Sequence, residues 1–235
     1  MFTLILPCAG SSSRYPNMRP KWSLTHPNGR LMVTQGIGGI DFSNFTSVCM
    51  AVMKSDLEKY NLRDAIYDSF KEFNLDFKLL ELEEPTSSQS ETVSLMIDTL
   101  DIDGNIFIKD CDDYFNVREL EPDSVCVYSL QKLDEVIAKN KSYVDVDNNG
   151  YVKTIVEKRV ISELFCCGGY SFSDSKLFSK TFKKLKNNTA EKEIYVSHII
   201  YQQLLDGYKF KTKEVEDYCS MVFILYELFL DVVII

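Results

Sequence analysis

Residues Phe2–Leu6 form an unbroken apolar run that passes directly into Pro7-Cys8-Ala9-Gly10-Ser11-Ser12-Ser13-Arg14. A run without polar alternation suits a strand covered on both faces, so it predicts a central strand in a sheet packed between helices. The loop after it is built from small residues, which let a backbone approach a ligand closely while its N–H groups donate to phosphate oxygens. Arg14 adds a charge-assisted contact, and Pro20-Lys21 brings a second long-reaching cation. The loop lacks the Gly-Lys-Ser/Thr ending of a Walker A motif.

The rest of the chain alternates short apolar runs with helical patterns, which predicts an α/β fold. Strands are expected at 46–53, 77–82, 105–109, 123–130, 165–172 and 208–215. Ser55 and Glu58 form a capping-box pattern ahead of a helix carrying Leu62, Ile66, Phe70 and Phe73 on one face. Val93, Met96, Ile97 and Leu100 fall at helical spacing. Asp147-Asn148-Asn149-Gly150 separates 141–146 from 151–157, a hairpin signal. Asn188 with Glu191 is expected to cap a helix that buries Ile194, Ile199, Ile200 and Leu204, with Gly207 as its stop.

Charge distribution bears on the ligand. The net charge is -9, which argues against nucleic acid as a partner. No acidic residue precedes Asp41, while Arg14, Arg19, Lys21 and Arg30 all lie in the first 40 residues. A polyanion is therefore drawn to the N-terminal stretch and repelled elsewhere. Of the 7 cysteines none forms a CxxC pair, and there are 2 histidines, so a zinc site is not expected and reduced thiols in a cytoplasmic protein are. The N-terminus lacks the basic region of a signal peptide. The apolar stretch 222–235 is shorter than a membrane span and contains Glu227 and Asp231; it reads as core or as a subunit interface that allows a homodimer, with no membrane partner.

Two further motifs carry chemistry. Phe107-Ile108 leads into Lys109-Asp110-Cys111-Asp112-Asp113, and carboxylates gathered at a strand end suit a hard cation with oxygen ligands. A solvated acidic turn is the commoner reading of such a cluster alone; the cations near the N-terminus strengthen the metal reading. Val156-Glu157-Lys158-Arg159 precedes Cys167-Gly168-Gly169-Tyr170; Lys158 could hold an acceptor phosphate, and the glycines permit close approach to a ligand.

With these residues in view, the chain resembles the sugar-phosphate nucleotidyltransferases of GT-A-like fold, over roughly residues 1–220. The likeness rests on Gly10-Ser11-Ser12-Ser13-Arg14, Pro20-Lys21, the strand-end aspartates, Glu157-Lys158 and Gly168–Phe172. It implies a Rossmann-like mixed sheet flanked by helices with a small acceptor-binding β subdomain, in one domain whose nucleotide part spans about 1–130 and acceptor part about 131–220. It implies Mg²⁺, replaceable by Mn²⁺, as cofactor, with a nucleoside triphosphate (CTP favoured) and a phosphorylated small molecule as partners. By the same resemblance Arg14, Lys21 and Lys158 are catalytic. Leu6, Pro7, Ala9, Gly10, Ser11, Ser12, Ser13, Arg14, Ser88, Gln89, Ser90, Thr92, Lys109 and Asp110 bind the nucleotide. Lys141, Glu157, Lys158, Gly168 and Gly169 bind the acceptor, and Asp112, with Asp110 as close competitor, and Asp217 bind the metal. Ser12 departs from the family's second loop glycine. Ser220 stands where a late metal-binding Asp is expected, with Asp217 the nearest substitute. Two rivals follow: a GT-A glycosyltransferase, which Asp110-Cys111-Asp112 also matches, and a nucleotide-binding homologue without activity.

Overall fold

The computed structural model describes residues 1–10, 18–133, 140–189 and 193–221. In chain order its elements are β1 (Phe2–Pro7), α1 (Met32–Ile37), β2 (Phe45–Met53), α2 (Lys54–Tyr60), α3 (Arg63–Phe70), β3 (Asp76–Leu82), α4 (Gln89–Thr99), β4 (Ile106–Lys109), β5 (Asp113–Asn116), β6 (Ser124–Ser129), β7 (Ser142–Val146), β8 (Val152–Glu157), β9 (Leu164–Phe172), α5 (Ser175–Asn188), α6 (Val196–Leu205), β10 (Lys211–Glu214) and β11 (Glu216–Ser220).

The main sheet has the order β10-β6-β9-β4-β1-β2-β3, with β7 and β8 attached beside β9. β1 runs parallel to both β2 and β4, in register Ile5↔Cys49 and Ile5↔Ile108. β9 lies antiparallel between β4 and β6, making the sheet mixed. Its two faces hold separate cores. Leu4, Leu6 and Phe107 pack with residues of α1, α2 and α3 on one side. Ile5, Ile106 and Ile108 pack with Val93, Met96 and Ile97 of α4, Phe178 and Phe182 of α5 and Ile199 and Ile200 of α6 on the other. Leu4, Ile5 and Leu6 are fully buried, as a strand covered on both faces requires. The fold is thus the expected α/β mixed sheet flanked by helices.

Some local expectations change. The helix after residue 54 is two helices: Asn61 adopts φ 51 and breaks it, so Ser55 caps nothing and Met53 stands at the N-cap. Ile66 and Phe70 still face the core. Asn188 ends α5 instead of capping α6, and Glu191 lies outside the described residues. Tyr195 occupies the α6 N-cap, and its N–H donates to His198 Nδ1 at 3.4 Å. The 147–150 turn holds as expected, with Asp147 N–H donating to Tyr151 O at 2.8 Å and Gly150 at φ 78. Gly207 follows α6 at φ 92. Helices α1 and α5 and the small β5–β11 ladder had no counterpart in the sequence reading.

Candidate active site

Two parallel strands side by side deliver the site. β1 and β4 end at the same edge of the sheet, where open α/β sheets bind ligands. Past β4 the chain turns through Asp110, Cys111 and Asp112 into β5, whose first residue is Asp113. One carboxylate oxygen from each of Asp110, Asp112 and Asp113 lies within 4.8 Å of the others. Lys21 opens a short 3₁₀ turn after Pro20, and its Nζ donates to Asp112 Oδ2 at 2.6 Å.

Each carboxylate has a different partner. Gln89, in the first turn of α4, donates to Asp110 Oδ1. Burial first, then the Asp112 charge, pushes the Asp110 carboxyl up to about 7, against the pull of the Lys109 ammonium. Burial also works against the charge of Asp112, yet Lys21, by charge and hydrogen bond, holds that carboxyl below its ordinary value. Asp113 accepts from Lys141 Nζ at 3.0 Å and from Tyr218 Oη at 2.8 Å, and Lys141 also donates to that hydroxyl at 2.6 Å. Burial opposes the Lys141 charge, but Asp113, Asp112 and Asp110 together raise its pKa.

Neighbouring acids pushed to different pKa values mark a functional site more often than a solvated turn. The donors are all oxygen and they converge, so the set fits a hard divalent cation such as Mg²⁺. Asp110, Asp112 and Asp113 are the residues able to hold it. Asp113 belongs to the acidic run that the sequence analysis read as suiting a hard cation, but it was not among the residues named there as metal ligands.

The structure reassigns several residues. Lys109 is fully buried; its Nζ donates to the carbonyls of Asp110 at 2.8 Å and Asp113 at 2.5 Å and lies over the Phe115 ring. It braces the acidic turn from within. Asp217 stands apart from the carboxylate group. It sits at a bulge at φ 52 and accepts from Asn116 at 2.6 Å, whereas Ser220 lies opposite Asp113 in the β5–β11 ladder. Gly168 and Gly169 leave room for the chain itself. A Cβ on Gly168 would lie 2.5 Å from Asp110 Oδ2, and one on Gly169 2.7 Å from Phe115 Cζ.

Other expected residues keep surfaces or serve the frame. Leu6 and Ala9 are fully buried, Pro7 is half-buried and Gly10 is exposed. Ser88 caps α4 by accepting from Glu91 N–H at 3.2 Å, and Thr92 shares a 2.6 Å hydrogen bond with Thr86. Ser90 Oγ is buried without a partner. Glu157 accepts from Ser142 and, at 2.8 Å, from Ser197. Lys158 is exposed, bonded to Tyr195 Oη and 4.2 Å from the centre of that ring, and its N–H donates to Lys141 O at 3.0 Å. Lys141 and Lys158 thus lie side by side at the open end of the β7–β8 pair, nearest the carboxylates. Ser11, Ser12, Ser13 and Arg14 lie outside the described residues.

No protein-family model matches the chain, and no curated protein does. Solved structures do. A nucleoside-diphosphate-sugar pyrophosphorylase from Vibrio cholerae RC9 superposes with a TM-score of 0.76 at 18% identity, over 93% of this chain and 95% of that one. The inositol-1-phosphate CTP transferase from T. maritima gives 0.70 at 15% identity, over 93% and 87%. An apo UDP-glucose pyrophosphorylase gives 0.67 at 12%, over 92% and 91%. At such identities the likeness defines the fold: this chain has the same α/β fold as these three proteins, across nearly its whole length.

Proposed function

We propose that this chain is a Mg²⁺-dependent nucleotidyltransferase that moves a nucleoside monophosphate from a nucleoside triphosphate to a small phosphorylated acceptor, releasing pyrophosphate. The observation that carries this reading is the contact of Lys21 with Asp112. It joins the cationic N-terminal stretch to the acidic strand end in one cleft. The fold shared with three proteins titled as pyrophosphorylases or a CTP transferase supports it.

The chemistry follows from charge. An acceptor phosphate oxygen attacks the α-phosphorus, and pyrophosphate leaves in line. Both reactants are anions, so the cleft must offset their repulsion. Asp110, Asp112 and Asp113 would hold the divalent ion, which polarises the phosphoryl oxygens when bound. Lys21 and Arg14 serve the triphosphate, and the Ser11–Ser13 amides stabilise charge moving to the leaving group. A phosphate monoester is already a competent nucleophile near neutral pH, so no general base is needed. Lys158, with Lys141 beside it, faces the acceptor in the part of the chain from about 131 to 220.

The finer reading favours CTP as donor and L-glutamine phosphate as acceptor, in capsular polysaccharide synthesis in the cytoplasm. It rests on the resemblance of Lys109-Asp110-Cys111-Asp112, Lys141-Ser142-Tyr143 and Cys167-Gly168-Gly169-Tyr170 to the CTP:phosphoglutamine cytidylyltransferase. A sugar 1-phosphate or phosphocholine is the next acceptor in order. The deciding assay measures pyrophosphate release for each common nucleoside triphosphate against phosphorylated sugars, phosphocholine and phosphorylated amino acids. Release with CTP and a phosphorylated amino acid is expected. Sugar transfer from a nucleotide-sugar would favour the glycosyltransferase, which Asp110-Cys111-Asp112 keeps in view. Tight CTP binding without turnover on any acceptor would favour a nucleotide-binding homologue, the reading that Ser220 keeps in view.

A further inference from the structure

Cys8 follows the end of β1, and Cys111 lies in the turn after β4, its adjacent parallel strand. The β1–β4 register pairs Thr3 with Ile106, Leu4 with Phe107 and Ile5 with Ile108, so three residues further on Cys8 stands beside Cys111. Both lie just past the strand ends: Cys8 N–H donates to Leu6 O at 3.0 Å and to Ala51 O at 2.9 Å, and Asp110 N–H donates to Gly168 O at 2.8 Å as the chain enters its turn. Alternation places both side chains on one face. Leu4, Leu6 and Cys8 of one strand and Phe107 of the other belong to the same core, and Cys111 packs against it. The two thiols are near enough for Cys111 to act on the ionisation of Cys8. Adjacent strands run about 4.8 Å apart, inside the span of about 4.4–6.8 Å between the Cα atoms of a disulfide. Cys126 of β6 and Cys167 of β9 also come level, one residue beyond the Val127↔Cys166 pair at a bulge, but both are fully buried, whereas Cys111 is partly exposed.

We propose that Cys8 and Cys111 are an oxidisable pair, which a hydroperoxide converts into a reversible disulfide at the base of the acidic turn. Cys111 is the partly exposed member and Cys8 the buried one, so they act in that order. The Cys111 sulfur attacks a peroxide oxygen and breaks the O–O bond, giving a sulfenic acid and one water. The Cys8 sulfur then attacks the Cys111 sulfur, the S–O bond breaks, and the oxygen leaves as a second water with the Cys8 proton. The two thiols lose two electrons and two hydrogens, and one peroxide becomes two waters. Burial, and next the Cys111 thiol, makes Cys8 hold its proton, so the first attack falls to Cys111.

The bond would tie the start of the Gly10 loop to the turn bearing Asp110 and Asp112. It would close a loop of about a hundred residues, within the range where cross-links restrict the unfolded chain most. The inference stands on strand register and holds whatever the cleft binds.

The test treats the reduced full chain with excess hydrogen peroxide, blocks remaining thiols with iodoacetamide, digests without reductant and reads the peptides by mass spectrometry. The expected product joins the Cys8 peptide to the Cys111 peptide, lighter by two hydrogens than the separate peptides and released by dithiothreitol. In Cys8→Ser, dimedone should instead trap the sulfenic acid on Cys111. The oxidised wild-type chain should melt on the order of 5 °C or more above the reduced chain. Cys111 driven to sulfinic acid while Cys8 stays alkylated would overturn the proposal, as would Cys111 joined to any other cysteine. The wild-type measurement decides the matter even if Cys8→Ser does not fold.

Discussion

Lys21 Nζ lies 2.6 Å from Asp112 Oδ2, although 91 positions separate the two in the chain. Both side chains are about one-quarter exposed, 27% and 24%, so solvent reaches the pair. Removing one preorganised charge contact of this kind typically lowers turnover on the order of a hundredfold. Lys21→Ala is expected to lose that much in pyrophosphate release while changing the melting temperature little. Turnover within about threefold of wild type would take Lys21 out of the reaction.

Asp110 gives a pH signature. Its carboxyl holds a proton up to about 7, because burial and the Asp112 charge disfavour ionisation. The folded chain therefore binds that proton more tightly than the unfolded chain. The stabilisation is fully present below the unfolded carboxylate pKa and fades as pH rises through about 7. A divalent ion needs the ionised form, so binding should release a proton and tighten as pH rises from 6 to 8. Titration calorimetry with MgCl₂ in buffers of different ionisation enthalpy checks both statements. Equal affinity and no proton release across that range would remove Asp110 from the ion's ligands.

Gly168 has φ 76, and an added Cβ would stand 2.5 Å from Asp110 Oδ2. Gly168→Ala therefore combines backbone strain of about 1–2 kcal/mol with a displaced carboxylate. The melting temperature should fall by several degrees and the apparent magnesium affinity with it. At Gly10, where nothing lies within 4 Å of an added Cβ, the same change should cost less stability.

The Lys141–Asp113–Tyr218 network separates charge from hydrogen bonding. Lys141→Met leaves the nearly buried Asp113 without its cation, a loss of about 3 kcal/mol or more. Tyr218→Phe removes one hydrogen bond, worth about 1 kcal/mol. Urea unfolding of both variants and of the double variant should show them coupled, since the three groups touch. Equal small effects would mean that water replaces Lys141.

Much of the frame was legible in the sequence, for identifiable reasons. The Phe2–Leu6 run lacks alternation because both of its faces are covered, and Asp147–Gly150 carries the residues its turn requires. Asn61 was not legible as a helix break, since the Ser55–Glu58 capping pattern before it and Leu62, Ile66 and Phe70 after it read as one continuous helix. Helix α5 was missed although Phe178, Phe182 and Leu185 keep helical spacing opposite a lysine-rich face. In the site, Lys21 and the aspartates were legible as charges of opposite sign in short motifs. What Lys109 does was not, because an ammonium turned inward toward two carbonyls looks, in sequence, the same as one turned outward toward phosphate. The role of Asp113 was hidden likewise: it depends on Lys141 and Tyr218, which reach it only after three distant segments meet.

β9 occupies the slot between β4 and β6, yet it is made after both of them. A growing chain that has not yet reached residue 164 carries β4 as a bare edge whose Ile106, Phe107 and Ile108 are ready to stick to any other strand. The ribosome must therefore deliver the chain through residue 172 before the acidic end of the sheet can close. Nascent or prematurely stopped products should need chaperone shelter, and splitting this protein into two halves for complementation should succeed only with the cut placed after residue 172.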